Sequence, residues 1–374
     1  MAAATKQKII AFFRREPVLV ISFICAVVSM AFVPPSAAYG AYFDWKVLSL
    51  LFCLMAVVAG LQECNVFAVF CQKLLMGRKR MGLLSLILVT LPFFASMLIT
   101  NDVALIAFVP FTIVVLSMVQ RRQYLIYLIV LQTIAANLGS MATPVGNPQS
   151  LFLYEKYHLP ISDYFRWMLP FVLVSLLCLA AAALLVKNET IQVEFSARET
   201  LRHPRKACLF CVLFVLSLLC VFRVLPYPWA LGAVVVSLLL WDRPLFAQID
   251  YGLLLTFLCF FVFAGNMGNI SAVQEFLNGL LERSAMLTSL LASQVISNVP
   301  AAVLLSSFTQ EAQGLLVGTN LGGLGTLIAS LASLISFRYY LRLEGAKPLR
   351  YLGIFTGLNA AMLAVLLGLA LLCL

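Results

Sequence analysis

Residues 95–105 read ASMLITNDVAL, and a second version of this stretch, ASQVISNVPAA, occupies residues 292–302. Both follow the pattern A-S-x-x-I-[T/S]-N-x-x-A inside segments that are otherwise almost entirely apolar. A second pair of matches follows in the same order, NLGSMAT at residues 137–143 and NLGGLGT at residues 320–326. Because two separate motifs recur in the same order, the sequence indicates an internal duplication.

The composition of the 374-residue chain bounds the class of protein. Hydrophobic residues make up 63% of the chain and charged residues 11%, which leaves too little polar surface for a soluble fold. The sequence therefore predicts an all-α polytopic membrane protein. The net charge of +10 lies in short basic runs between apolar segments, which is typical of orientation signals and not of a nucleic-acid site.

Apolar runs and helix breakers divide the chain into two predicted units, residues 17–187 and 228–374. A surface segment at 1–16, a cytoplasmic loop at 188–206 and a linking span at 207–227 complete the predicted organisation. The basic N-terminus imitates a secretory signal peptide. We do not expect cleavage, because the first apolar run is needed as the counterpart of the first span in the second unit.

Each unit contains a hairpin and a broken span. The second hairpin, 285–308, has arms of about 14 and 10 residues, shorter than the ~20 residues that a crossing helix needs, so it is predicted to be re-entrant. The first hairpin, 81–119, is assigned the same way by symmetry. Residues 124–148 and 315–337 are apolar runs interrupted by glycine or proline, which weaken or break helices.

The distribution of basic residues predicts the orientation of the chain. With the N-terminus in the cytoplasm and the C-terminus outside, nearly all of the 25 lysines and arginines face the cytoplasm. An odd number of predicted spans separates the two units, so the second unit is predicted to be inverted and the hairpins to enter from opposite faces. The five exceptions are Lys46, Lys156, Arg166, Arg223 and Arg283.

The repeated residues predict a binding site where the two hairpin tips meet. We expect Asn101 and Asn298 to be helix N-caps, so that each tip offers an amide, a hydroxyl and the positive end of a helix to an anion. Main-chain carbonyls freed at the helix breaks suit a small cation. The predicted substrate- and ion-binding residues are Ser96, Thr100, Asn101, Asp102, Asn137, Gly139, Thr143 and Gly146 in the first unit and Ser293, Ser297, Asn298, Asn320, Gly322, Thr326 and Ala329 in the second.

Asp102 is the one carboxylate at a predicted tip. Desolvation disfavours its charged form, whereas the helix N-terminus and a bound cation favour it. We hypothesise that it takes up and releases a proton during transport. The simpler alternatives are that Asp102 only stabilises the start of its helix and that the two asparagines are only caps.

These motifs resemble those of the ion transporter superfamily, which includes divalent-anion/sodium symporters, citrate permeases, arsenite efflux permeases and D-type sodium/proton antiporters. The symporters carry Ser-Asn-Thr at each tip, and the matching triplets here are Thr100-Asn101-Asp102 and Ser297-Asn298-Val299. The family's glycine-rich pattern after each broken helix matches residues 139–147 and 322–330, and this resemblance adds Asn147 and Ser330 to the predicted binding residues. The resemblance implies one sodium site at Ser96, Asn101 and Gly146 and another at Ser293, Asn298 and Ala329, with substrate between the tips.

The chain also departs from the symporter pattern. Neither tip keeps the third-position threonine, and Asp102 replaces it in the first. The tip triplet and the run from Ala142 to Gln149 look closer to the arsenite permease and sodium/proton antiporter branch. The substrate is therefore left open between these branches.

Together these observations predict an ion-coupled secondary active transporter that moves a small anion, such as a carboxylate or an inorganic oxyanion, by alternating access. The alternatives are a sodium/proton antiporter, an arsenite efflux permease or a channel. An intramembrane enzyme is disfavoured because no predicted span contains a histidine or a nucleophile–base pair. We expect no cofactor beyond a coupling sodium or proton, and as partners a small ionic substrate and membrane lipid. An elevator motion, a homodimer and a place in the plasma (inner) membrane are implied by the resemblance.

Overall fold

The structure, a computed structural model, describes residues 17–187, 189–195 and 198–373. The predicted surface segment at 1–16 lies outside these residues. The described residues are predominantly helical with very little strand, which confirms the all-α class. The first unit contains α1 (Pro17–Met30), α2 (Trp45–Glu63), α3 (Val66–Leu75), α4 (Met81–Ala95), α5 (Asn101–Met118), α6 (Leu125–Ser140), α7 (Pro148–Lys156) and α8 (Ile161–Leu184).

The second half of the chain repeats this succession of helices. It contains α9 (Pro204–Val221), α10 (Tyr227–Trp241), α11 (Tyr251–Met267), α12 (Ser271–Arg283), α13 (Ala285–Ile296), α14 (Asn298–Leu305), α15 (Ala312–Leu321), α16 (Leu331–Leu341) and α17 (Pro348–Cys373). The hairpins are therefore α4–α5 and α13–α14, and the broken spans are α6–α7 and α15–α16.

Several helices are long and apolar enough to cross a membrane. These are α2, α5, α8, α9 and α17, and a sixth span results if α11 and α12 are taken together across their bend of 100°. The chain is thus an integral membrane protein by the length and composition of its helices. The bend directs α12 away from the axis of α11, as expected for an amphipathic helix that lies along the membrane surface.

The two hairpins differ in the length of their arms. In the second hairpin α13 has 12 residues and α14 has 8, well short of the ~20 residues of a crossing helix. In the first hairpin α4 has 15 residues and α5 has 18, so that α5 is long enough to span. Re-entry of the first hairpin and inversion of the second unit therefore stay predictions.

A short antiparallel sheet joins the loop after α8 to the chain before α4. Strand β1 (Gly77–Arg80) pairs with β2 (Thr190–Val193). The sequence analysis assigned residues 188–206 to a hydrophilic loop and did not predict either strand. In β2 the burial alternates, with Ile191 and Val193 facing inward, which is the pattern of a half-buried strand.

The start of the same loop is held by an ion pair. Arg121 and Lys187 both donate hydrogen bonds to the Glu189 carboxylate. The hydrogen bond from Lys187, with that from Arg121 next in size, holds the pKa of Glu189 below its ordinary value.

Helix packing separates an outer frame from an inner core. In the frame α2 packs against α9 and α10, and α1 packs against α11. In the core each hairpin packs on the broken span of its own unit, α4–α5 on α6 and α13–α14 on α15. The second part of each broken span contacts the hairpin of the other unit, α7 against α14 and α16 against α5. This exchange brings the two predicted tips together.

Candidate functional site

Each hairpin tip is bonded to the helix break of its own unit in the same way. The main-chain N–H of Asn101 donates to the carbonyl of Gly146 over 3.1 Å, and the N–H of Asn298 donates to the carbonyl of Ala329 over 3.0 Å. These residues occupy equivalent positions in the two sequence repeats. The duplication seen in the sequence therefore extends to the hydrogen bonds of the site.

The two threonines of the glycine-rich motifs also bond to the hairpins. The hydroxyl of Thr143 donates to the carbonyl of Met97, and that of Thr326 donates to the carbonyl of Gln294. Both had been predicted as binding residues. In the structure their hydroxyls hold the hairpin main chain, so we assign them a positioning role.

In each unit the hairpin packs so closely against the broken span that only a glycine, which has no Cβ atom, fits at the point of contact. A Cβ atom at Gly139 would lie 2.1 Å from the carbonyl oxygen of Phe93 and 2.7 Å from Oγ of Ser96. A Cβ atom at Gly322 would lie 2.6 Å from Cβ of Ser293. Ser96 and Ser293 are fully buried at these contacts, and each donates its hydroxyl to a carbonyl of its own helix. Their oxygen lone pairs stay available to a cation.

Buried amide side chains connect the two units crosswise at the centre of the site. Oδ1 of Asn137 accepts hydrogen bonds from Nδ2 of Asn101 and from Oγ of Ser330, each over 3.0 Å. Nδ2 of Asn147 donates to Oδ1 of Asn320 over 2.9 Å. Asn137 and Asn320 are equivalent in the two repeats, as are Asn147 and Ser330. In both pairs, the asparagine at the end of the first helix of one broken span is hydrogen-bonded to the residue just before the second helix of the other broken span.

The prediction that Asn101 and Asn298 are N-caps was wrong by one residue. Helices α5 and α14 begin at these asparagines, and the cap positions belong to Thr100 and Ser297, neither of which makes a side-chain cap bond. The physical reason is that the asparagine side chains have other partners, Asn137 for Asn101 and the N–H of Val299 for Asn298.

Ser297 has an unusual backbone conformation at the second tip. Its φ of +75° lies in a region that costs a residue with a side chain roughly 1–3 kcal/mol. Its hydroxyl lies 3.2 Å from the carbonyl of Ala329, to which it donates. Backbone strain of this kind is found at binding sites and switch segments, and here it occurs at a predicted binding residue.

The first tip carries two buried oxygens without partners. Among the described residues, Oδ1 of Asn101 and Oδ1 of Asp102 accept no hydrogen bond. A buried acceptor left in this state costs roughly 1–3 kcal/mol. Oxygen atoms are the ligands that hard cations prefer, so the first tip fits the sodium ion that the resemblance implies. At the second tip Oδ1 of Asn298 already accepts from the N–H of Val299 over 2.9 Å.

The two tips share one small cavity. It has a volume of about 10 Å³, close to the minimum for a single water molecule. Both tip asparagines border it, together with Asp102 and Ser330. The predicted site residues from the two units therefore line one space.

A larger cavity, here called the vestibule, adjoins the space between the tips. It has a volume of about 290 Å³, and Thr100 and Asp102 line it beside Asp250 and Arg338. Four residues border both cavities, which makes the tip cavity the inner end of the vestibule: Asp102, Pro148, Leu253 and Leu331. The helix ends around the vestibule are the ones predicted to face the cytoplasm.

A third cavity lies among the helix ends that are predicted to face outside. It has a volume of about 370 Å³ and is lined by Asp44, Lys156 and Ser306, among others, but by no residue of either tip. The described structure therefore gives the tips access from the vestibule side and none through this cavity.

Two polar residues of the core were missed by the sequence analysis. Gln294 donates from Nε2 to the carbonyls of Gly322 and Leu324, each over 2.8 Å, and fixes the second hairpin to its broken span. Ser150 forms hydrogen bonds with the Asn320 side chain over 3.0–3.2 Å. Gln294 lies within a repeated motif and Ser150 lies just after one. A polar residue in such apolar surroundings is the sequence signal by which both could have been identified.

A buried carboxylate at the other end of α7 was also missed. Glu155 is 3% exposed, and its Oε2 lies 2.7 Å from Nζ of Lys46 and 3.5 Å from Nε of Arg223. Arg223 also donates to the carbonyls of Tyr154 and Leu159. Lys46 and Arg223 are two of the five basic residues that are not predicted to face the cytoplasm. Their unusual position is the sequence signal that could have pointed to a buried acidic partner. The cluster connects α7 in the core to α2 and to the α9–α10 link in the frame.

Comparisons with known proteins agree with this architecture. A family model described as citrate transporter matches residues 9–335. An uncharacterized transporter of Methanocaldococcus jannaschii is 34% identical over 300 residues, which cover 79% of this chain and 81% of that protein. The inner membrane protein YbiR of Escherichia coli is 29% identical over 321 residues, which cover 83% and 84% of the two chains.

Proposed function

The chain belongs to the citrate transporter family of membrane transporters, and from this membership we propose that it is an ion-coupled secondary active transporter for a small anion such as a carboxylate. The substrate binds at the two hairpin tips with its bulk in the vestibule of about 290 Å³, because the cavity of about 10 Å³ between the tips is too small for a carboxylate, and a coupling cation binds at the first tip. The observation that carries this proposal is the convergence of both tips on one cavity that opens into the vestibule.

The chemistry of the tips supports an anion between them. Helices α5 and α14 begin at the shared cavity, so the positive ends of their dipoles are directed at it. Amide and hydroxyl groups next to these helix starts add neutral donors. An anion bound in this space is stabilised without a fixed positive side chain, which allows it to leave again.

The coupling cation is assigned to the first tip. Oδ1 of Asn101 and Oδ1 of Asp102 are buried without partners among the described residues, and the carbonyl of Gly146 lies at the same tip. Sodium bound to these oxygens would supply the positive charge that an anionic substrate requires. The matching site at Ser293, Asn298 and Ala329 belongs to the proposal, although the Asn298 oxygen has a partner.

The vestibule supports alternating access. It connects the tips to the face that the charge distribution assigns to the cytoplasm, whereas the cavity at the opposite end stops short of them. The structure therefore corresponds to an inward-facing form in this proposal. The family resemblance adds an elevator motion of the core against the frame, a homodimer and a place in the plasma membrane.

A second candidate, a sodium/proton antiporter, is favoured by Asp102 alone. This carboxylate borders both cavities and lines the vestibule together with Asp250 and Arg338. A carboxylate that binds a proton and sodium in turn is the chemistry that antiport requires. In this candidate Asp102 carries the exchange and no anion crosses.

Flux measurements in proteoliposomes test the proposal and separate the candidates. We expect the purified protein to accumulate a carboxylate such as citrate when sodium or proton gradients are imposed. Asn101→Ala and Asn298→Ala should each abolish this flux while the protein remains folded, since each removes one side-chain hydrogen bond worth roughly 0.5–1.5 kcal/mol. Parental flux and affinity in both variants would leave the asparagines with a purely structural role.

Asp102→Asn addresses the coupling ion. Asparagine is nearly isosteric and keeps the helix start, but it cannot take up a proton. If Asp102 carries the proton, the variant loses the response of flux to an imposed pH gradient. An unchanged response would remove the coupling role and leave only the ~0.3–1 kcal/mol that an acidic residue contributes at a helix N-terminus. Sodium/proton exchange without movement of any carboxylate would support the antiporter instead.

A further inference from the structure

One face of α16 lines the whole path from the tips to the mouth of the vestibule. Leu331, Leu334, Ile335 and Arg338 all border the vestibule, and their spacing places them on one side of a helix. Leu331 also borders the tip cavity. Seven residues of α-helix span about 10 Å, so Arg338 lies about that far from the tips along the helix axis.

Arg338 is the one lysine or arginine that lines the vestibule among the described residues. It is exposed, and it forms no hydrogen bond or ion pair with any described residue. The other charged groups of the vestibule are the carboxylates Asp102, at its inner end, and Asp250, which caps the start of α11. The guanidinium is therefore available to a ligand, and the two carboxylates are not paired with it.

The position of this charge has a consequence for substrate entry. The unpaired guanidinium attracts anions at the mouth of the vestibule and can donate two parallel hydrogen bonds to a carboxylate. Beyond Arg338 the α16 wall is apolar, so a bound anion is not trapped at the mouth. The attraction grows with the number of negative charges on the ligand.

We propose that Arg338 recruits the anionic substrate at the cytoplasmic mouth and makes this side of the transporter selective for multivalent carboxylates. The proposal rests on the proposed function, because it needs an anion that passes through the vestibule. It adds a specificity residue that lies outside the hairpin tips and the repeated motifs. Arg338 acts on entry from one side only, since it does not border the cavity at the opposite end.

Kinetics on vesicles of defined orientation test this role. The probes are citrate, succinate and lactate, which carry three, two and one carboxylates, presented to the cytoplasmic face in inside-out vesicles. Arg338→Gln should raise the KM for citrate about tenfold, as expected when one hydrogen bond between charged groups is lost, the KM for succinate less, and the KM for lactate least. The maximal rate should stay close to the parental value. Added salt should raise the KM of the parent and leave that of the variant nearly unchanged, because salt screens exposed charges.

Arg342→Gln is the matched control. Arg342 is also exposed and follows the end of α16, but it lies over the ring of Tyr339 and does not line the vestibule. Its removal should leave all three KM values unchanged.

Binding in detergent gives a second measurement that does not depend on flux. Citrate should raise the melting temperature of the parent more than that of Arg338→Gln at the same concentration.

The outcomes separate the two proposals. A parental citrate KM in Arg338→Gln, an equal change for all three carboxylates, or a loss confined to the maximal rate each overturns the recruiting role while the transporter assignment stands. A parent protein that carries none of the three anions in either orientation overturns the anion proposal, and the role of Arg338 with it.

Discussion

Gly139→Ala tests the contact between the first hairpin and its broken span. In an open helix position alanine is favoured over glycine by roughly 0.5–1 kcal/mol. At Gly139 the added Cβ would lie 2.1 Å from the carbonyl oxygen of Phe93, where ordinary contacts begin near 3.4 Å. The obstacle is main chain, so the hairpin itself must move by about 1 Å. Overpacking of this kind costs roughly 1–3 kcal/mol.

We therefore expect Gly139→Ala to lower the free energy of unfolding by about 1–2 kcal/mol after the helix-propensity gain is subtracted. Displacement of the hairpin by about 1 Å also moves Ser96 and the tip, and in enzymes such a shift can cost about 100-fold in rate. We expect a loss of citrate flux of similar order. The measurements are thermal unfolding in detergent and initial flux in proteoliposomes.

Gly357→Ala is the control, because this glycine lies in α17 and a Cβ there meets no atom within 4 Å. It should be neutral or stabilising, with parental flux. If Gly139→Ala matches this control in both measurements, the hairpin does not pack against the broken span as described, and the reasoning about the tip geometry fails with it.

Three further predictions address the orientation of the chain in the membrane, the buried carboxylate of Glu155 and the ion pairs of Glu189. In a background without native cysteines, a cysteine at Gln120 should be labelled only from the cytoplasm and one at Gln310 only from outside; labelling from the same face would contradict the inversion. Glu155→Gln should lower the free energy of unfolding by about 2–3 kcal/mol, because it leaves two partly buried cations without their partner. The parent should melt above Glu189→Gln at pH values above the unfolded carboxyl pKa of about 4.3, and the difference should vanish as the pH falls through the lowered pKa of Glu189.

The sequence predicted the succession of helices because each relevant signal is local. Apolar runs define the helices, and glycine and proline define the breaks at 141–147 and 322–330, where the structure interrupts both broken spans. Short arms identified the second hairpin, and the structure keeps them short. The four-residue strands β1 and β2 were missed because so short a segment carries no measurable periodicity, and their pairing joins positions far apart in the chain.

The sequence predicted which residues belong to the candidate site, but it did not predict which of them are hydrogen-bonded to each other. Recurrence selected Asn137 and Asn320, the family resemblance added Asn147 and Ser330, and the structure brings these four together in two hydrogen-bonded pairs. Which amide bonds to which depends on packing between the two units, which no local pattern contains. The same limit explains the wrong N-cap prediction at Asn101, because the sequence does not show that Asn137 lies beside it and takes its side-chain hydrogen bond. Arg338 was missed because its importance depends on the cavity that it lines, and a cavity cannot be recognised in the sequence.

The crosswise amide bonds also bear on how the two copies diverged. Duplicated segments usually accumulate substitutions independently of each other. Here a change at Asn137 alters the surroundings of Ser330, and a change at Asn147 alters those of Asn320, so substitutions in one copy constrain those in the other. A half-length ancestor that assembled with a second copy of itself would have met both requirements with a single pair, Asn137 of one chain against Asn147 of the other. In the fused chain the two bonds are not identical, because the second copy carries Ser330 at the position equivalent to Asn147.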